Sequence, residues 1–329
     1  MDEDFRPNLY SPVTHLPTRR QMLASLSALT GSMVLSQCAS PTVASRPGTG
    51  SPARLPKRTV FKGDSKFQRL CQQAARENWA AKPLHERTAT VGKALLGTPY
   101  GNYTLEIDDR IESPSVNFEQ LDCWTFYETS LGMARMVRAR PAPWREEDLL
   151  TFIEMERYRG GRCDGCYLSR MHHLEEVFYD NERRGLGQNV TRSLGGVPIH
   201  RNIREMQSAW KSYRYLRNNP SLIKGIAQVE ARVSKLPVSY IPKSKVSHIE
   251  SRLQDGDVLA IASRDASGYT SHVGLALRDG ATCRFMHATS SSSKGRRVVV
   301  DQRISQYLNS GSSHIGLVVF RPGDISRLA

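Results

Sequence analysis

Apolar residues recur at helical spacing over residues 65–80 and again from Leu84 to Leu96, where Gly97-Thr-Pro-Tyr100 stops the helix and opens a turn. A third run, Cys123 to Val137, carries Trp124, Tyr127, Leu131 and Ala134 on one face and Phe126, Met133 and Val137 on another. A helix that is apolar on more than one face is buried. Pro141-Ala-Pro143 breaks this run, and Asp148–Arg157, Ser169–Asn181, Arg204–Asn218 and Leu222–Val233 read as further helices. From Asp257 onward the period changes to short β-like runs: Val258–Ser263, His272–Leu277, Thr282–His287, Arg297–Asp301 and Gly316–Arg321, separated by Gly, Asp and Ser turns. Helices first and a meandering sheet last predict an α+β fold with antiparallel strands. No internal repeat of solenoid period is present.

The N-terminus has a different character. Thr18-Arg-Arg-Gln-Met-Leu-Ala24 and the Ala/Ser/Leu-rich stretch to Leu35 read as a twin-arginine export signal, too short to serve as a membrane span. Leu35-Ser-Gln-Cys38 has the form of a lipoprotein box, which makes Cys38 a lipidation candidate; otherwise cleavage after Ala44 is expected. The division is an export signal over residues 1–44, a Pro/Ser/Gly-rich linker over 45–64 and the main folded domain over 65–329. The mature protein is expected in the periplasm or cell envelope, touching the membrane only through a lipid on Cys38.

A net charge of +14 draws the chain toward polyanions. The basic residues are dispersed, however, and no helix-turn-helix, zinc-finger or RNA-binding signature accompanies them, so no nucleic-acid partner is expected. Of six cysteines, Cys163-Asp-Gly-Cys166 reads as a local disulfide or two free thiols, since one pair lacks the second half of a zinc site, and Cys71 and Cys283 read as packing residues. His172 and His173 lie near Glu175 and Glu176 without an H-E-x-x-H pattern or a third ligand; no metal and no cofactor is expected.

Cys123 sits where a polar stretch turns into an apolar helical run. At the first turn of a helix, free backbone N–H groups and the helix dipole favour thiolate over thiol, which makes the sulfur a candidate nucleophile. His272, before Val273-Gly274 at the start of a strand, is the candidate base, with Gly274 permitting a close approach; His287 is the candidate third member that fixes its tautomer. Asp122 is placed to cap the helix or to bind a substrate amine. Tyr100 and Tyr103, after the turn, are candidates for lining a cleft.

Taken together, Leu96-Gly-Thr-Pro-Tyr100 with Thr104-Leu-Glu106, Leu121-Asp-Cys-Trp-Thr125 with Glu128, Arg157-Tyr-Arg-Gly160, Ser169-Arg-Met-His172, Gly256-Asp257, Ser271-His-Val-Gly274 and Phe285-Met-His-Ala-Thr-Ser290 follow a familiar order. The chain resembles the N-acetylmuramoyl-L-alanine amidase-like branch of the NlpC clan of cysteine peptidoglycan hydrolases, from about Ser65 to Pro322. The resemblance implies a papain-like α+β core, Cys123 as nucleophile, His272 as base and His287 as orienter. It also implies Tyr100, Asp122, Tyr167, Arg170 and His172 as substrate-binding residues and peptidoglycan or muropeptides as substrate. The bond cut would be lactyl–L-Ala or a stem-peptide bond such as L-Ala–γ-D-Glu; a catalytically silent cell-wall binding module is the non-enzymatic alternative.

Overall fold

The structure, a computed structural model, describes residues 55–325. Arg19, Arg20 and Cys38, with the signal and most of the linker, lie outside the described residues. Among the described residues, seven helices of seven residues or more organise the fold: α1 (Asp64–Arg76), α2 (Leu84–Ala94), α3 (Cys123–Ala139), α4 (Glu146–Arg157), α5 (Leu174–Arg183), α6 (Ile223–Val233) and α7 (Ile304–Ser310). The main strands are β1 (Ser239–Pro242), β2 (Val258–Ser263), β3 (Thr270–Asp279), β4 (Thr282–Ala288), β5 (Val298–Arg303) and β6 (His314–Pro322). They form one antiparallel sheet in the order β1-β6-β2-β3-β4-β5. The fold is a mixed helix and antiparallel-sheet architecture, with β2 to β5 forming the meander expected from the sequence.

β2 is buried along its whole length, so its alternate residues serve two cores. Val258 and Ala260 join Val273, Leu275 and Met286 under α2 and α3, while Leu259 and Ile261 join Phe285 and the α7 residues Ile304, Tyr307 and Leu308. A strand covered on both faces reads as a continuous apolar run, which is how Val258–Ala262 appears. The central helix α3 buries charge as well as apolar surface. Glu128 meets Arg157 of α4 at 2.8 Å and Arg135 meets Glu156 of α4 at 2.9 Å, two reciprocal ion pairs that lock the helices together. Losing one partner of such a pair strands a buried charge, so these residues specify the α3–α4 contact.

The structure differs from the sequence reading in several places. The fold takes in residues before Asp64: Phe61 pairs in parallel with Val116 and packs against Phe67 (5.2 Å) and Phe118 (5.8 Å), inside the stretch read as linker. The helix expected over Ser169–Asn181 starts only at Leu174, because Arg170 is drawn to Glu106 and the Met171 N–H to the Arg157 carbonyl. The helix expected over Arg204–Asn218 divides into Glu205–Ser208, a turn at Trp210–Ser212, and Arg214–Asn218.

Candidate active site

The loop before α3 is built by pairing with the edge of β5. Gly97 N–H donates to the Val298 carbonyl (2.9 Å), Tyr100 N–H to Arg296 (2.8 Å), and Val298 N–H back to Thr98 (2.9 Å). Leu121 N–H then donates to Pro99 (3.0 Å), which ties the Gly-Thr-Pro-Tyr turn to the start of α3 and sets the Tyr100 phenol beside Cys123. Asp122 is the N-cap. Its Oδ1 accepts the Thr125 N–H (2.8 Å), Thr125 Oγ1 accepts the Asp122 N–H (3.0 Å), and Oδ2 accepts the Thr104 N–H (3.2 Å) and hydroxyl (2.7 Å). Both carboxylate oxygens are used by the protein itself, a capping arrangement worth about 1 kcal/mol to the helix start.

Cys123 is the first residue of α3 and is 7% exposed. β3 pairs with β4 only from Leu275 onward, and the Val273 N–H instead reaches the Cys123 sulfur. The residue after His272 therefore touches the thiol. The sequence predicts a thiolate from the helix start, and the N–H groups of Val273 and Trp124 do pull in that direction. Burial outweighs them, with the neighbouring Asp122 carboxylate acting in the same sense, and the thiol is held far above its ordinary pKa. The resting sulfur is protonated, so it needs a base to become a nucleophile.

That base has a built-in direction. His272 Nε2 lies 2.6 Å from His287 Nδ1, and His287 Nε2 lies 3.2 Å from Asp301 Oδ2. Burial by itself would raise the Asp301 pKa, but hydrogen bonds from His287, Lys294 and the Gln302 N–H hold it well below the usual carboxylate range. An ionised Asp301 only accepts, so His287 carries its proton on Nε2 and offers the Nδ1 lone pair to the Nε2–H of His272. This leaves Nδ1 of His272 as the basic atom. Phe285 and Tyr307 pack the rings from the α7 side, with His287 centroids at 4.5 and 5.3 Å from theirs.

Gly274 is what lets the two strands bring these rings together. A Cβ there would lie 2.5 Å from the Met286 carbonyl oxygen and 2.8 Å from the His287 Cβ. Gly274→Ala is therefore expected to cost about 1–3 kcal/mol and to separate the histidines, read out as a lower denaturation midpoint together with lost activity; an unchanged midpoint would contradict this packing.

In the sequence Asp301 reads as a strand residue, with nothing local to mark it as part of the site. The signal lies in register: His287 pairs with Val299, and the two-residue period places Asp301 on the same side of β5 as Val299 and thus beside His287. Asp301→Asn removes the group that sets the proton order. Activity is expected to fall by roughly ten- to a hundredfold, less than the ~10²–10⁴ that a lost base costs. Because the folded-state pKa of Asp301 is depressed, its stabilisation is complete above the ordinary carboxylate range, near ~3.9, and lost as pH falls through the folded value. Urea midpoints of wild type and variant should thus differ at pH 7 and converge in strong acid.

Other predicted site residues turn inward. Tyr167 and Arg170 are enclosed: the Tyr167 hydroxyl donates to Glu106 Oε1 (3.0 Å), and Arg170 donates to the same oxygen (2.7 Å) and to the Leu105 carbonyl (3.1 Å). Read from the sequence as substrate contacts, they spend their polar ends holding loop 101–106. His172 is half-buried, bonded to the Tyr167 carbonyl (3.0 Å); burial first, then the Arg170 charge, keeps it neutral, with its pKa well below the imidazole range. Tyr103 is exposed. Cys163 and Cys166 are not joined in a disulfide among the described residues, and Cys71 and Cys283 are buried in the two cores.

The chain has relatives in sequence and in fold. A family model for N-acetylmuramoyl-L-alanine amidase-like (AmiA-like) proteins matches residues 90–316, and the chain belongs to that family. An N-acetylmuramoyl-L-alanine amidase from Bacteroides uniformis superposes with a TM-score of 0.65 at 27% identity, over 73% of this chain and 98% of that one. A protein described as a putative xylanase from Bacteroides fragilis gives 0.63 at 30% identity, over 70% and 99%. A Legionella pneumophila protein shares the fold at 18% identity, with a TM-score of 0.56 over 78% and 93%. No curated protein sequence matches the chain.

Proposed function

We propose that this chain is an exported cysteine amidase with a papain-like, NlpC-type core that cuts the lactyl–L-Ala amide of peptidoglycan or of soluble muropeptides. The observation that carries this reading is the contact of the Cys123 sulfur with the backbone beside His272, at the head of the His272–His287–Asp301 chain. His272 takes the Cys123 proton, and the thiolate attacks the lactyl carbonyl carbon. Backbone N–H groups at the start of α3 receive the developing oxyanion. As the tetrahedral intermediate collapses, the C–N bond breaks and His272 passes its proton to the departing L-Ala nitrogen. Water, deprotonated by His272, then cleaves the thioester; the sugar acid leaves and the thiol regains its proton.

Asp122 supports the amidase reading over a stem-peptide endopeptidase. An enzyme that needs a free N-terminal L-Ala requires a carboxylate for the ammonium, whereas both Asp122 oxygens are already bonded to Thr104 and Thr125. Mass spectrometry of digests is the test. A muramyl peptide is expected to yield its free stem peptide while the same peptide without sugar stays intact; efficient release of L-Ala from the sugar-free peptide would move the enzyme to the endopeptidase class. For export, the Arg19-Arg20 pair is the supporting feature. Lysine at both positions is expected to hold the protein in the cytoplasm, and normal export of that variant would remove the twin-arginine route.

A further inference from the structure

Buried carboxylates gather at the head of the strand that carries His272. Glu175, in the first turn of α5, is 5% exposed; it bonds the Thr270 side chain, while its Oε1 has no hydrogen-bond partner. Glu205 lies near it, its Oε2 only 2.7 Å from where a Cβ on Gly268 would stand. Glu230 of α6 sits behind both, accepting the N–H groups of Met206 (2.7 Å) and Gln207 (3.2 Å). His173, 7% exposed, points Nε2 at Glu230 Oε1 from 3.7 Å without a hydrogen bond, and burial keeps it neutral, with a pKa near 4.

Positive charge offsets this group only in part, through Arg201 beside Glu175. No Lys or Arg forms an ion pair with Glu175 or Glu205 among the described residues, and the nearby Arg201 directs its guanidinium to the carbonyls of Ser263, Asp265 and Gly268. Burial pushes both Glu175 and Glu205 up to about 7, with Asp265, Glu175 and Glu230 adding to the rise at Glu205. Such a site holds negative charge at the expense of solvation and is relieved by a cation. Its place is informative as well. Thr270 precedes His272 by one two-residue step, roughly 7 Å along the strand, and Tyr213 lies within electrostatic reach of Glu205, Tyr167 and Tyr103.

We propose that Glu175 and Glu205, backed by Glu230 and His173, form a subsite for a primary ammonium carried on the stem peptide, the side-chain amine of a diamino-acid residue. The inference rests on the amidase reading for the identity of the peptide. Two residues of extended chain beyond L-Ala span roughly 7 Å, the length of the two-residue strand step from Thr270, which Glu175 bonds, to His272. A second function follows for the cluster: it selects peptides by the charge of their third residue, far from the bond that breaks. Glu175 and Glu205 are thus specificity residues and take no part in proton transfer.

The test pairs a muramyl tripeptide, L-Ala–γ-D-Glu–L-Lys on the sugar, with its Nε-acetylated form. Wild-type kcat/KM is expected to favour the free amine by roughly tenfold or more, and Glu205→Gln or Glu175→Gln is expected to bring the two substrates within a factor of two or three. Both changes are near-isosteric, and either variant alone suffices if the other fails to fold. Equal rates in wild type, or a preference that survives both substitutions, would overturn the inference. Direct titration of the same two peptides, with the sugar, into Cys123→Ala separates this from the reaction assignment. Tighter binding of the free amine with no turnover of either by wild type would sink the amidase reading and keep the ammonium subsite; equal binding would sink the subsite whatever bond is cut.

Discussion

Cys123→Ala is expected to lower turnover of a muramyl peptide by at least about 10³-fold, within the range seen when a member of a nucleophile triad is removed, while the unfolding midpoint barely moves. The sulfur is nearly buried and accepts the Val273 N–H, so the change deletes one small atom at the start of α3. Cys123→Ser should fare little better. A serine hydroxyl is far less acidic than a thiol, and the same burial that holds the thiol protonated would hold the hydroxyl more firmly still. Single-turnover assays with intact-mass detection supply the check: an acyl adduct on wild type that is missing from both variants supports covalent catalysis. Substantial steady-state activity in Cys123→Ala would discard the mechanism.

His272→Ala should be nearly as damaging, with a loss of about 10²–10⁴-fold, because the protonated thiol then has no acceptor. His287→Ala is expected to be milder. It takes away the partner at 2.6 Å that fixes the His272 tautomer, but leaves Nδ1 of His272 able to act in a fraction of molecules. Asp301→Asn, one step further along the chain at 3.2 Å, should be milder again. This graded series is the signature of a one-way proton chain, since each step outward acts only through the one before it. Rates and pH profiles of the three variants provide the measurement, and effects within such a chain are not additive. A larger loss at His287 than at His272 would exchange the base and the orienter.

The same geometry separates what local pattern can express from what it cannot. Helix α3 was readable because its apolar positions wrap the helix, its break at Pro141-Ala-Pro143 is local, and Asp122 stands where caps stand. The strands of the meander were readable because alternation and Gly/Asp/Ser turns are short-range signals, and β2 begins and ends where the pattern does. β1 escaped notice because it has only four residues and closes in Pro242, and α7 because seven residues hold two turns and little periodicity. Tyr167 and Arg170 show the opposite limit. Their place in a motif marks them as important, yet nothing in neighbouring residues says that their polar ends meet Glu106, more than sixty positions earlier.

By itself, then, the sequence determined the α+β order, the helix-start cysteine, and the two histidines with a glycine between their strands, because periodicity, capping and the lack of a Cβ are properties of a few consecutive residues. Tertiary structure alone decided that the thiol rests protonated, that Asp301 sets the direction of the histidine pair, and that Glu175, Glu205 and Glu230 share one buried site. Each of those depends on strand register or on how much water packing removes, and both are fixed only when segments distant in the chain close around one another.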